Sequence, residues 1–244
     1  MSATSGNTGA LPADPADIDA FAAARAMVVD RIAAAARRAQ RDPAAVTLVA
    51  VSKTVPATRL RAAVAAGIDV LGENRVQEAA EKIPAVGGAR WHLVGPLQAN
   101  KARRAVELFD VIESVGSLEL AQRLDRLVEE LRPGRPLPVL LQVNVDDDPA
   151  KAGFTPAALD SALPALLALP RLRVGGLMTI GRLVDTPDEA RETFRALRER
   201  AAAWRTRHDA LGTALSMGMS HDFEVAVEEG ATIVRIGRAL FGER

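Results

Sequence analysis

A chain of 244 residues, 48% of them hydrophobic, can bury a sizeable core as one large domain without a disulfide or metal staple. Its 31 basic residues balance 31 acidic ones with no block of like charge, which argues against a nucleic-acid or membrane-surface partner. Cysteine is absent, which excludes a disulfide framework, a thiol nucleophile and a cysteine-ligated metal centre, and no apolar stretch approaches the roughly 20 residues that span a bilayer.

Residues 1–16 are small, polar and proline-containing, and read as a disordered leader. With no basic head followed by an apolar run they do not form a secretory signal, so the cytoplasm is the expected compartment. From 17 to about 41 the chain is Ala-rich, with Ile18, Phe21, Ala24, Val28 and Ile32 at helical spacing, until Asp42-Pro43 stops it. Short β-branched runs then alternate with amphipathic segments. Strands are predicted over 46–51, 68–71, 91–94, 111–113, 138–143, 174–178, 214–216 and 232–236. Helices are predicted near 56–66, 74–83, 98–107, 117–131, 155–168, 187–208 and 221–229. Thr155-Pro156 and Thr186-Pro187-Asp188-Glu189 supply helix starts, the second as a capping box. Strands apolar on both faces, each followed by a helix, predict a single (β/α)8 barrel domain over 17–244 with an extra N-terminal helix. The alternative is an open doubly wound sheet, but its G-x-G-x-x-G fingerprint is missing after the first strand.

A barrel gathers its chemistry at the C-terminal ends of its strands. Lys53 follows the first strand there, placed to direct an amine into the mouth. Desolvation favours the neutral form of an amine, the form that attacks an aldehyde to give an imine. The plainer possibility is a lysine that snorkels to solvent or pairs with Glu73. After the seventh strand, Ser216-Met217-Gly218-Met219-Ser220 offers a glycine for close backbone approach and a serine to cap the helix that follows, an arrangement suited to phosphate. Gly237 and Arg238, after the eighth strand, supply a second backbone cradle and a cation. A phosphate on one side of the mouth and an amine across it suit a phosphorylated aldehyde. Arg235 lies within an apolar strand, either in a salt bridge across the barrel, for instance with Glu73, or donating to a pyridine nitrogen of a bound cofactor. An arginine stays protonated, so it would leave that nitrogen bare and the ring a weak electron sink.

The segments VAVSKTVP, GENRVQEA, WHLVGPLQANK, QVNVDDDPAKAGF, RVGGLMTI, LSMGMSHDFEVAVEEGAT and VRIGRALFGER run in order from Val49 to Arg244. Together they closely resemble the pyridoxal phosphate homeostasis protein family, similar in fold to the barrel domain of alanine racemase. The resemblance implies a protein that binds pyridoxal 5′-phosphate (PLP) and serves cellular vitamin B6 balance without established catalysis. It implies a Schiff base (an internal aldimine) on Lys53 and a phosphate site on Ser216, Gly218, Met219, Ser220, Gly237 and Arg238. Arg235 would meet the pyridine nitrogen, and Asn74 would lie beside the cofactor. Two positions depart from some relatives: Val55 stands where a second lysine occurs, and Arg75 where a tyrosine occurs.

On this reading the protein is a PLP carrier or buffer, a monomer that affects supply to PLP-dependent apo-enzymes. The alternative is an amino-acid racemase, which needs an acid/base group on each face of the α-carbon. Alanine racemases use a lysine and a tyrosine from a second, all-β domain, and this chain has no tyrosine. His92, beside Trp91, would have to substitute and reads instead as an orienting group near the cofactor. A Schiff-base aldolase is disfavoured, since no acid/base pair is evident near Lys53. Asp146-Asp147-Asp148 reads as an acidic surface loop rather than a cation site, and Lys151 is the other lysine to check as a cofactor anchor.

Overall fold

Eight parallel strands close into a barrel in simple sequential order, β1 to β8, with β8 pairing back onto β1. The computed structural model describes residues 13–182 and 184–242. The strands are β1 (Thr47–Val51), β2 (Val70–Glu73), β3 (Arg90–Leu93), β4 (Val111–Val115), β5 (Leu137–Gln142), β6 (Leu172–Met178), β7 (Ala214–Ser216) and β8 (Ile233–Ile236). All eight fall on the runs expected from sequence. The open-sheet alternative is excluded by the β1–β8 pairing, which puts Val49 beside Arg235 and Ala50 beside Ile236.

The helices are α1 (Pro15–Arg38), α2 (Ala57–Ala65), α3 (Val76–Lys82), α4 (Ala102–Leu108), α5 (Leu118–Leu131), α6 (Pro156–Leu167), α7 (Arg191–Arg205), α8 (Phe223–Glu228) and α9 (Arg238–Phe241). α1 begins two residues earlier than the sequence pattern indicated, because the Asp14 side chain accepts the Ala16 N–H and Pro15 fits the first turn. The expected leader therefore ends before Asp14, and residues 1–12 lie outside the described ones. Thr155 caps α6 through the Ala158 N–H. Glu189 accepts both the N–H and the hydroxyl of Thr186, closing the expected capping box at a 3₁₀ turn that leads into α7.

The four-residue α9 was not foreseen, and it explains the extra N-terminal helix. After β8 the ring of outer helices lacks a full member, and α1 packs against α2, α8 and α9 to fill that position. Phe21 of α1 meets Phe241 edge-on, with ring centroids 5.6 Å apart, and Arg31 stacks over Phe223 at 4.6 Å. Inside the strands, side chains alternate between this helical layer and the lumen. Ala50 and Leu71 join the outer core, while Val49, Val70 and Val94 form a small separate inner cluster. Above it the lumen turns polar.

Candidate functional site

A cleft of about 780 Å³ opens at the C-terminal ends of the strands. Lys53, Met219, Ser220, Arg235, Gly237 and Arg238 all line it, with Arg182, Asp185 and His221 completing one wall. A smaller cleft of about 240 Å³ shares Lys53, Gly237 and Arg238. Arg182 and Asp185 were not foreseen, because they sit beyond the end of β6 on the loop to α7, where strand-end reasoning does not reach. Asn74, His92, Ser216 and Gly218 do not line either cleft.

Lys53 is half-buried, two residues beyond β1, and among the described residues it makes no hydrogen bond or ion pair. The expected alternative partner, Glu73, is occupied elsewhere: its carboxylate meets Lys82 Nζ at 2.5 Å and the Ser52 hydroxyl at 2.8 Å. Lys53 does not stand across the mouth from the cradle, as the linear order suggested. Closing the barrel makes β1 and β8 neighbours, so the amine lies beside Gly237 and Arg238.

Gly218 has φ +91°, a region costly for other residues, and a Cβ there would lie 2.5 Å from Ala226 Cβ and 3.0 Å from Phe223 Cα. The glycine thus lets the β7–α8 loop run close against α8. Ser220 does not cap that helix. Its hydroxyl instead accepts a long hydrogen bond from Gly237 N–H, 3.4 Å, linking the two loops. Asp222 does the local work, accepting the Met219 N–H at 2.6 Å. Burial pushes the Asp222 carboxyl above its ordinary range, against the pull of the Met219 N–H and the Arg235 charge. Gly95 plays a similar steric part on the opposite rim: a Cβ there would lie 2.3 Å from the Asn74 carbonyl oxygen, so the β3–α4 loop seats directly on Asn74.

Beneath the cleft a buried relay crosses the barrel. Arg235 Nη1 donates to Ser216 Oγ at 2.6 Å and Nη2 to the Thr179 carbonyl at 2.8 Å. Arginine can only donate, so Ser216 directs its own proton to Glu113 Oε2, 2.5 Å away. The other Glu113 oxygen meets His92 Nδ1 at 2.6 Å. Ser216 and Glu113 are fully enclosed, and His92 Nε2 is buried without a partner among the described residues. The Ser216 hydroxyl, expected in the phosphate cradle, is therefore turned inward and committed to this relay. Arg235 is likewise not paired with Glu73. Burial pushes the Glu113 carboxyl up, but its contacts with His92, then the Arg235 charge and the Ser216 hydroxyl, outweigh this and hold it below its ordinary range. Burial pulls the Arg235 guanidinium below the arginine norm, with Glu113 and Asp222 opposing.

The acidic loop after β5 departs from expectation. Asp146 is not a solvated surface carboxylate: its side chain binds Lys151 Nζ at 2.8 Å, the Thr193 hydroxyl at 2.6 Å and Arg182 Nε at 3.1 Å. Lys151 is thereby occupied. No cluster of His, Asp and Glu suited to a metal occurs among the described residues, and no helix there is long and apolar enough to cross a membrane.

The sequence model of the alanine racemase N-terminal domain matches residues 27–244, so the molecule is a barrel of the alanine racemase N-terminal class. An alanine racemase from Corynebacterium glutamicum shares the fold with a TM-score of 0.69 at 18% identity, over 93% of this chain and 62% of that one. Much closer in sequence is the pyridoxal phosphate homeostasis protein of Escherichia coli K12, 43% identical over 230 residues, covering 90% of this chain and 94% of the relative. Its counterpart in Pseudomonas aeruginosa is 45% identical over 223 residues with the same coverage. The solved structure of PipY from Synechococcus elongatus PCC7942 with PLP bound superposes with a TM-score of 0.77 at 46% identity, covering 88% of this chain and all of that one. The chain belongs to the pyridoxal phosphate homeostasis protein family.

Proposed function

We propose that this protein binds PLP in the mouth cleft, holds it as a Schiff base on Lys53, and acts in vitamin B6 homeostasis as a cytoplasmic, monomeric carrier rather than as an enzyme. One observation carries the reading: a half-buried lysine with no competing partner among the described residues lines the same cleft as two backbone loops and an enclosed arginine. Those residues fit the group's three polar features. The amine suits the aldehyde, the Met219–Ser220 and Gly237–Arg238 loops suit the phosphate, and Arg235 suits the ring nitrogen. PLP bound to PipY, a structural relative at 46% identity, supports the assignment.

Bound PLP supplies an electrophilic aldehyde and an electron-withdrawing ring. This chain's own residues then limit what that ring can do. Arg235 is anchored by Ser216 and Thr179 and stays a donor, so it can meet a ring nitrogen only if that nitrogen is unprotonated. Such a site retains the cofactor while weakening it as an electron sink, which suits holding and release to PLP-dependent apo-enzymes. His92 is the group that the racemase alternative would need: Glu113 orients its ring and its Nε2 has no partner among the described residues, but it does not line the cleft.

The test is direct. The purified protein is mixed with PLP, the visible band followed, and the product reduced with borohydride and mapped by mass spectrometry. Wild type should show the band and a PLP mass shift at Lys53, and Lys53→Ala should lose both. A reduced adduct mapped to Lys151 or another lysine overturns the Lys53 assignment. Racemisation of free amino acids at ordinary enzymic rates, abolished by His92→Ala, overturns the carrier reading.

A further inference from the structure

Among the described residues the Lys53 side chain makes no hydrogen bond or ion pair, so what directs its amine into the cleft is the way its backbone is held. That backbone is gripped on both sides. Before Lys53, the Ser52 carbonyl accepts from Lys82 Nζ at 2.9 Å, and the Ser52 hydroxyl binds the Gly72 carbonyl at 3.1 Å and Glu73 at 2.8 Å. After it, Thr54 sits at φ +65°, in the left-handed region that a β-branched residue seldom adopts. Its N–H donates to Glu78 Oε2 at 3.2 Å. Lys82 joins the two sides, reaching Glu73 Oε1 at 2.5 Å and Glu78 Oε2 at 3.3 Å.

We propose that Lys82 and Glu78 of α3 are positioning residues for Lys53, forming a clamp that fixes the backbone immediately before and after the PLP-bonding lysine. The inference rests on the reading of Lys53 as that lysine. The chemistry favours lysine for this task. An ammonium has three donors, and here three acceptors converge on it: Ser52 O, Glu73 Oε1 and Glu78 Oε2. A planar guanidinium could not serve three points closing on one atom in a space that leaves the side chain only 11% exposed. The helix sets the reach, because side chains lean towards the N-terminus, bringing Lys82 back over Glu78 one turn earlier. The cost of holding Thr54 in an unfavourable conformation is offset by the Glu78 acceptor.

The decisive comparison is Glu78→Ala against Glu78→Gln. Glu78 is 26% exposed at its side chain, so both variants should fold. Glutamine keeps an acceptor for the Thr54 N–H, and alanine does not. Lys82→Met removes the other arm while keeping the aliphatic length. PLP loading is followed by the rate at which the visible band appears and by equilibrium dialysis. Glu78→Ala and Lys82→Met should each slow loading and weaken binding by on the order of tenfold to a hundredfold, as small misplacements of a reacting group do. Glu78→Gln should remain near wild type, a rescue that a generic loss of stability would not give. Trp204→Phe serves as a stability control, because it breaks a bond to Asp160 between α7 and α6 at a residue that lines neither mouth cleft, and should leave loading unchanged. If Glu78→Ala and Lys82→Met load PLP like wild type while Lys53→Ala loses the band, the clamp is refuted and the Lys53 assignment stands. If Lys53→Ala keeps the band, both fall.

Discussion

Two regions of this barrel use the same materials, arginine and glutamate, under opposite constraints. In the lumen, Arg235, Ser216, Glu113 and His92 form one path, with a side arm from Arg235 to the Thr179 carbonyl, in which the Ser216 proton and each Glu113 oxygen have a single partner. On the outer wall, Arg38 and Arg191 meet Glu228, while Arg191, Arg195 and Arg198 gather on Glu229. The wall arrangement is redundant: remove one guanidinium and Glu229 still has two others, and Glu228 still has one. The lumen has no spare. In the lumen the identity and orientation of each group must be fixed by its one neighbour, whereas on the wall another arginine replaces whichever one is lost.

Deleting the middle of the lumen path gives the sharpest contrast. Glu113→Ala would leave the His92 Nδ1 and the Ser216 hydroxyl without their partner, and should cost about 3–5 kcal/mol in urea denaturation. PLP binding should fall with it, since Ser216 would no longer be fixed to orient Arg235. A loss below about 1 kcal/mol would mean the lumen is as forgiving as the wall, erasing the distinction. Gly218→Ala comes next. The Gly218 carbonyl accepts the Arg235 N–H at 3.0 Å, so strain at this loop passes into the same relay. A residue forced to φ +91° costs about 1–3 kcal/mol before the contact with Ala226 is counted, and the melting temperature should drop accordingly.

A pH titration separates two carboxyls that sit near Arg235 but are shifted in opposite senses. Glu113 is held below its unfolded value of about 4.3, so its stabilising contribution is present above that pH and is lost as pH falls through the folded value. Asp222 is pushed above its unfolded value of about 3.9, so its contribution is present below that pH and disappears as pH rises through the folded value. Asp222→Asn keeps an acceptor for the Met219 N–H and cannot ionise. Its stability relative to wild type should therefore climb between pH 4 and neutrality and then level off, as read from denaturation midpoints across that range. A flat difference would show that Asp222 is not desolvated by the mouth.

Much of this was legible before folding, and the boundary of legibility is physical. The eight strands stood out because strands buried on both faces must be short apolar runs, and a helix follows each. Lys53, Gly237 and Arg238 were legible because a barrel brings every strand end to one opening. What could not be seen were pairings between distant strands. Glu113 and Ser216 lie 103 residues apart, so nothing local marks the serine as an interior relay member rather than a phosphate ligand. Lys82, an unremarkable helical lysine in sequence, meets Ser52 across 30 residues. The four-residue α9 fell below any periodic signal, and Asp146 looked solvated because two of its three partners come from the loop after β6 and from α7. The adjacency of β1 and β8 follows from closure and has no local mark at all.

The wall supplies the smallest expected effect and the final check on the contrast. Arg195 is half-exposed and reaches Glu229 at 3.3 Å, beside Arg191 at 3.1 Å and Arg198 at 2.9 Å on the same carboxylate. Arg195→Ala should change stability by about 0–1 kcal/mol, an amount that shrinks further as salt is raised. The redundancy makes a stronger demand than the magnitude alone. If the three arginines substitute for one another, the triple replacement must cost more than the sum of the single ones, because only then does Glu229, itself nearly enclosed, lose its last cation. Additive losses would mean that each arginine holds a private share of the carboxylate, and the wall would then be organised like the lumen, one partner to one proton.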